Sequence, residues 1–182
     1  VKHDMHWMLS GTNETRIVTG YAVKKGKHYN GYMQEAHHKG TTGSIVFRGT
    51  EALLNYMEAC VEKTGAVDGT ADKYWRALRK RALVNEDYMV TVNATDLNKE
   101  AEGDWGVYSK GQQVSSLLYN VRRERRNEFI GEGMRMDDLK RWRALDQVQG
   151  YQVSGMRYWG SIYGKPESVS DTAFMYIALG TI

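Results

Sequence analysis

At 182 residues, 41% of them hydrophobic and 26% charged, the chain has apolar material for one large domain or two small ones and no more. Its apolar runs all fall well short of the roughly 20 residues that a membrane-spanning helix requires. A net charge of +3, with acidic neighbours beside most basic residues, gives no reason to expect a nucleic-acid partner, and a single cysteine, Cys60, excludes an internal disulfide framework.

Residues 1–43 read as a loop-rich segment of weak periodicity. Ser10-Gly11-Thr12-Asn13 has the composition of a turn, Arg16-Ile17-Val18-Thr19 that of a short extended stretch, and His37 and His38 fall in a polar loop ending at Gly43. Over residues 44–84 the pattern becomes that of a helical hairpin. Ile45, Val46 and Phe47 lead into a helix from about Gly49 to Lys63, with Leu53, Leu54, Met57, Cys60 and Val61 on one face. Cys60 is therefore expected as a buried structural thiol. Thr64 and Gly65 end this helix, Gly65 supplying a left-handed cap. Asp68 or Thr70 then caps a second helix reaching about Leu83, whose Ala71, Tyr74, Trp75, Leu78 and Ala82 recur at i, i+3, i+4, i+7 and i+11. Two amphipathic helices joined by a short glycine-bearing loop pack antiparallel, the building unit of tetratricopeptide-like solenoids, although the match to a tetratricopeptide consensus is poor.

Residues 85–111 are polar and interrupted by Gly103 and Gly106, a connection with a short helix or extended stretch near residues 87–96. A second hairpin is expected over residues 112–148, its first helix beginning at Gln112 or Gln113. Leu117, Leu118, Val121 and Phe129 form one apolar stripe, and Met136, Leu139, Trp142 and Leu145 a second. Between them Gly131 and Gly133 flank Glu132, the mark of one helix ending and another opening. The charges sit at helical spacing: Arg125 can meet Glu128 at i,i+3, Asp137 can meet Arg141 at i,i+4, and Asp138 can meet Arg141 at i,i+3. Carboxylate–guanidinium pairs are thus expected to tie the hairpin. Residues 149–182 form an irregular tail in which Tyr151, Tyr158, Trp159 and Tyr163 alternate with glycines, with a short strand read within residues 173–179.

The run ERR-x-EF-x-x-EG-x-R-x-x-DL-x-RW, from Glu124 to Trp142, resembles the C-terminal signature of the SusD/RagB family. Its specified positions include Glu124, Arg125, Arg126, Glu128, Glu132, Gly133, Arg135, Asp138, Arg141 and Trp142. The fold class is accordingly mostly α, with tetratricopeptide-like αα-hairpins and irregular loops of SusD-like type. The resemblance implies a non-catalytic outer-membrane lipoprotein of the cell surface, without cofactor, that binds oligosaccharide and passes it to a SusC-like TonB-dependent transporter. Peptide capture by the same type of complex is the alternative it leaves open. Membrane contact would come only through a lipid anchor that this chain lacks. The start at Val1, the single proline (Pro166) and a likeness to the C-terminal part of longer proteins are read as marks of a fragment. Residues 20–25 resemble the short extended element that precedes the family's last helices.

The residues themselves point away from most chemistry. Arg122, Arg123, Arg125 and Arg126 are interleaved with Glu124 and Glu128, so a phosphate backbone would meet repulsion beside attraction and no nucleic acid is expected. A glycosidase needs two carboxylates about 5–9.5 Å apart, but the acidic residues of the signature all have basic partners in reach, which should lower their pKa. His3 with His6, and His37 with His38, lack the further ligands a metal site needs. Asp68-Gly69-Thr70-Ala71-Asp72 lacks the alternating oxygen donors of a calcium loop. Aromatics remain, because sugars present apolar C–H faces to flat rings. Trp75 and Trp142 lie on helical stripes and belong in a core, whereas Trp7, Tyr29 and Tyr32 stand in irregular polar surroundings and are the candidate ligand residues, with Trp105, Tyr108 and Trp159 as further loop aromatics. The resemblance transfers no ligand residue by position. A protein-interaction scaffold without a small ligand is the reading from a different class, and an enzyme comes third.

Overall fold

The computed structural model describes Val23, Lys25, Gly26, Gly43 and residues 45–148, and the expectations for the rest of residues 1–44 and for the tail at 149–182 lie outside the described residues. What is described is mostly α. Helix α1 (Gly49–Thr64) and helix α2 (Gly69–Arg81) pack closely, and α1 packs equally closely on a later helix, α5 (Ser116–Glu128). Gly65, at φ 71°, closes α1 by donating its N–H to the Val61 carbonyl at 2.8 Å. Asp68, not Thr70, caps α2: its Oδ1 accepts the Ala71 N–H at 2.7 Å.

The main core lies where these helices meet. Leu54, Met57 and Val61 of α1 face Ala71, Trp75 and Leu78 of α2, and Val121 and Phe129 close the cluster from the α5 side. Burying such side chains contributes roughly 1.5–3 kcal/mol each. Trp75 is fully buried, as its place on the stripe required, while Ala82 at the end of that stripe is exposed because α2 stops one residue earlier. Cys60 is only partly buried, packed against the edge of the core with its Sγ 3.5 Å from the Ala66 carbonyl. Ile45, Val46 and Phe47 precede α1 as exposed residues, Phe47 at 86%.

The polar connection carries two short helices, α3 (Tyr88–Asn93) and α4 (Leu97–Glu100). Tyr88 locks α3 to α2: its ring stacks on Trp75 with centroids 4.0 Å apart and planes 3° from parallel, and its hydroxyl donates to Asp72 at 2.9 Å. A single 3-10 turn (Trp105–Val107) follows, then a two-stranded antiparallel ribbon of β1 (Tyr108–Ser109) and β2 (Gln112–Gln113). The expectation that a helix begins at Gln112 or Gln113 is corrected here. Lys110 and Gly111 both take positive φ, 52° and 74°, the two-residue turn that matches strand twist, so Gln112 and Gln113 pair with Ser109 and Tyr108 instead. Helix α5 starts after Ser115, whose Oγ accepts the Leu118 N–H at 3.2 Å.

Gly131 (φ 77°) and Gly133 (φ 78°) turn the chain from α5 into α6 (Arg135–Arg141), and a second 3-10 segment (Leu145–Val148) follows. Helices α5 and α6 approach each other less closely than α1 and α2 do, so side chains rather than packed backbones join them. Leu139, Trp142 and Ala144 form a second small core with Trp105 and Leu145, whereas Met136, expected on that stripe, is 51% exposed.

Helices α2 and α6 end alike. Leu83 and Arg143 stand just past their helices at φ 57° and 54°. The Leu83 and Val84 N–H groups bond back to the Lys80 and Arg79 carbonyls, as those of Arg143 and Ala144 do to Lys140 and Leu139. This is the Schellman arrangement, with a residue bearing a side chain where glycine is favoured. Leu83 is also 93% exposed, so neither its backbone nor its side chain gains from the position. Leu83→Gly should therefore stabilise the fold by about 1 kcal/mol in urea unfolding; a loss of stability would show that the leucine side chain contributes to the fold.

Candidate functional site

Most of the signature residues are tied by ion pairs and hydrogen bonds, many to partners far away in sequence. Arg125 and Asp138 form the centre: Nε of Arg125 donates to both Asp138 oxygens at 2.8 Å, and the two side chains are 5% and 6% exposed. Arg125 also donates from Nη1 to Asn55 Oδ1 at 2.7 Å, and Arg141 from Nη2 to Asp138 at 3.0 Å. Arg141 then grips Glu58 of α1 with both Nη atoms, at 2.6 and 2.9 Å, and the Trp142 indole N–H donates to the same carboxylate. Burial pulls the Arg141 guanidinium down, but the hydrogen bonds and charges of Glu58 and Asp138 outweigh it and hold its pKa above the ordinary value.

Arg122, although outside the signature pattern, is 2% exposed, and desolvation lowers its pKa. It donates to the Gly106 and Tyr108 carbonyls at 3.2 and 3.1 Å and to Ser109 at 3.0 Å, pairs with Glu62 at 3.4 Å, and lies 4.6 Å over the Trp142 ring. A Cβ at Gly106 would come within 3.1 Å of Asp104 Oδ1, which would have to give by a few tenths of an ångström, and 3.4 Å from the Trp142 ring. Asp104 is buried and accepts from Arg126 at 2.7 Å, from Arg135, from the Gly106 N–H at 2.9 Å and from the Tyr119 hydroxyl at 3.2 Å. Burial, with Glu100 and Asp104 beside it, pushes the Tyr119 phenol well above its usual range.

The acidic members look outward from α5. Glu128 accepts from Arg48 and, at 2.6 Å, from Arg81, and Arg48 also reaches Glu132 at 2.9 Å while lying 4.7 Å over the Phe129 ring. Glu124 accepts from Arg79 at 2.8 Å. Three expectations are corrected. Arg125 pairs with Asp138 across the turn, and Asp137 meets Lys140 at 3.6 Å rather than Arg141; only the Asp138–Arg141 pair stands as expected from local spacing. Glu124 has its pKa raised, not lowered, because desolvation exceeds the pull of Arg79.

Of the candidate ligand residues, Trp7, Tyr29 and Tyr32 lie outside the described residues. Trp142 is buried under three guanidiniums, those of Arg122, Arg141 and Arg135 at 4.6, 5.3 and 5.6 Å, and Trp105 is partly buried against it. The described surface holds a groove of about 470 Å³ between α2, α3 and α5, lined by Leu78, Val84, Thr91, Arg123, Glu124 and Asn127 among others. A recess of about 320 Å³ lies along the polar edge of α1, and a cup of about 190 Å³ at the α5–α6 turn. Among the described residues no group of three or more histidine, cysteine or carboxylate side chains could hold a metal ion, and no helix is long and apolar enough to cross a membrane.

The described residues form a tightly cross-braced helical scaffold whose signature carboxylates are engaged by arginines. The chain belongs to the SusD family, whose profile matches residues 6–175. Members are generally non-catalytic nutrient-binding proteins of the outer-membrane surface. No curated protein and no solved structure matches the chain.

Removing one partner of the central pair leaves a buried, uncompensated charge. Asp138→Ala should cost about 3–5 kcal/mol. Asp137→Ala, one residue away but 82% exposed in its side chain, should change stability by less than about 0.5 kcal/mol. Thermal or urea unfolding of the two variants checks this, and similar losses would contradict the network's central place.

Proposed function

We propose that this protein captures oligosaccharide at the outer-membrane surface and delivers it to a SusC-like TonB-dependent transporter. The observation that carries the reading is the match of the SusD family to residues 6–175. Capture would be by equilibrium binding, without bond cleavage, in a shallow aromatic-lined site to which Trp7, Tyr29 and Tyr32 contribute. Anchorage to the membrane would be through a lipid. Glu124 is engaged by Arg79, and Glu128 by Arg48 and Arg81, so these carboxylates brace the helices.

Electrophoresis in gels containing single polysaccharides, with a reducing-sugar assay on the same samples, tests this. Retardation by a glycan with no sugar released is the expected result; sugar release, or no retardation by any glycan, would overturn it. Glu128→Ala should lower the melting temperature yet leave retardation of the folded protein unchanged, because Glu128 braces Arg48 and Arg81 and is not assigned to the ligand.

A further inference from the structure

The cup at the α5–α6 turn has an unusual balance of groups. Its walls are mainly apolar, from Phe129, Ile130 and Met134, and Ile130 stands 59% exposed at its rim. Its charged lining is guanidinium, from Arg125, Arg126 and Arg135, with one carboxylate, Asp138. That carboxylate is already saturated by Arg125 at 2.8 Å and Arg141 at 3.0 Å. Arg126 and Arg135 differ from Arg125 in having to share a single buried carboxylate, Asp104, which also accepts from Tyr119 and Gly106. Asp104 supplies one negative charge to two guanidiniums, and the Nη1 of Arg135, which has no acceptor, is buried on the Gly106 side. The two side chains remain 35% and 31% exposed. Two guanidiniums that share one carboxylate thus line a cup with apolar walls.

We propose that this cup binds a single carboxylate carried on a compact aliphatic body about the size of one leucine residue. The carboxylate would complete the charge of Arg126 and Arg135, and the aliphatic body would lie against Phe129, Ile130 and Met134. The volume of about 190 Å³ suits one such residue. A sugar acid fits less well, because its ring hydroxyls would face apolar walls without partners. A bare inorganic anion would leave the apolar walls unused. This proposal does not depend on the oligosaccharide reading.

Calorimetric titration of the whole chain with N-acetyl-leucine, N-acetyl-leucinamide and glucuronate tests it. Saturable binding of N-acetyl-leucine is expected, with the uncharged amide and glucuronate each at least about ten-fold weaker. Arg126→Gln should weaken N-acetyl-leucine binding by about ten-fold or more, with a melting curve on the same sample to show that it folds. Ile130→Asp provides a second variant, changing only an exposed rim residue, and should abolish binding by placing a like charge beside the ligand. Absence of saturable binding by N-acetyl-leucine, equal binding of the amide, or unchanged binding to Ile130→Asp would each overturn the proposal. None of these outcomes alters the polysaccharide-gel result, so the two readings stand or fall separately.

Discussion

Helix α1 presents two faces to the rest of the fold, and the second is as demanding as the first. Leu54, Met57 and Val61 fill the apolar core, while Asn55, Glu58 and Glu62, at i, i+3 and i+7, form a polar edge that receives the guanidiniums of Arg125, Arg141 and Arg122. Glu58 is 3% exposed and accepts from Arg141 through both of its oxygens and from the Trp142 indole. A carboxylate so deeply placed is tolerable only when its partners are all present, because desolvating an unpaired charge costs several kcal/mol. The position of α6 is therefore dictated by α1, some eighty residues earlier in the chain. Such a pair specifies one arrangement more than it adds net stability.

The arginines also explain the aromatic positions of the signature. Phe129 has Arg48 and Arg125 over its ring at 4.7 and 5.0 Å, and Trp142 lies under three guanidiniums. A planar guanidinium can stack on a ring while its edge bonds a carboxylate, which an ammonium group cannot do, so lysine would not substitute at these sites. The signature is thus a set of rings and carboxylates clamped by arginines. Its chemistry is largely consumed in bracing the helices.

Much of this fold was legible from local pattern. Helices α1 and α2 could be bounded nearly to the residue because their punctuation is local: Gly65 in left-handed conformation and Asp68 as a cap. Trp75 and Trp142 could be placed in cores from helical spacing alone. The failures share one cause. Rules for i,i+3 and i,i+4 pairs describe exposed helix surfaces, and they assigned Arg125 to Glu128, whereas burial sends Arg125 to Asp138 and Asn55 and sends Glu128 to Arg48 and Arg81. Arg48, Glu58, Arg79 and Asp104 were missed because each acts at 31 to 84 residues' separation from a signature partner. One signal was present: Asn55, Glu58 and Glu62 run beside the apolar stripe of α1 at its own periodicity. The ribbon at residues 108–113 was hidden because Lys110, not a glycine or asparagine, takes the first left-handed position of its turn. The aromatic ligand candidates Trp7, Tyr29 and Tyr32 rest on composition and lie outside the described residues.

The central claim is that buried carboxylates paired with guanidiniums, reaching from α1 to α6, hold the signature in place. A double-mutant cycle between Glu58 and Arg141, using Glu58→Gln and Arg141→Met in urea unfolding, measures that link directly. The account predicts a coupling energy of about 1–3 kcal/mol between the two sites. Additive losses, with a coupling near zero, would mean that α6 is held by its apolar contacts alone and would contradict it.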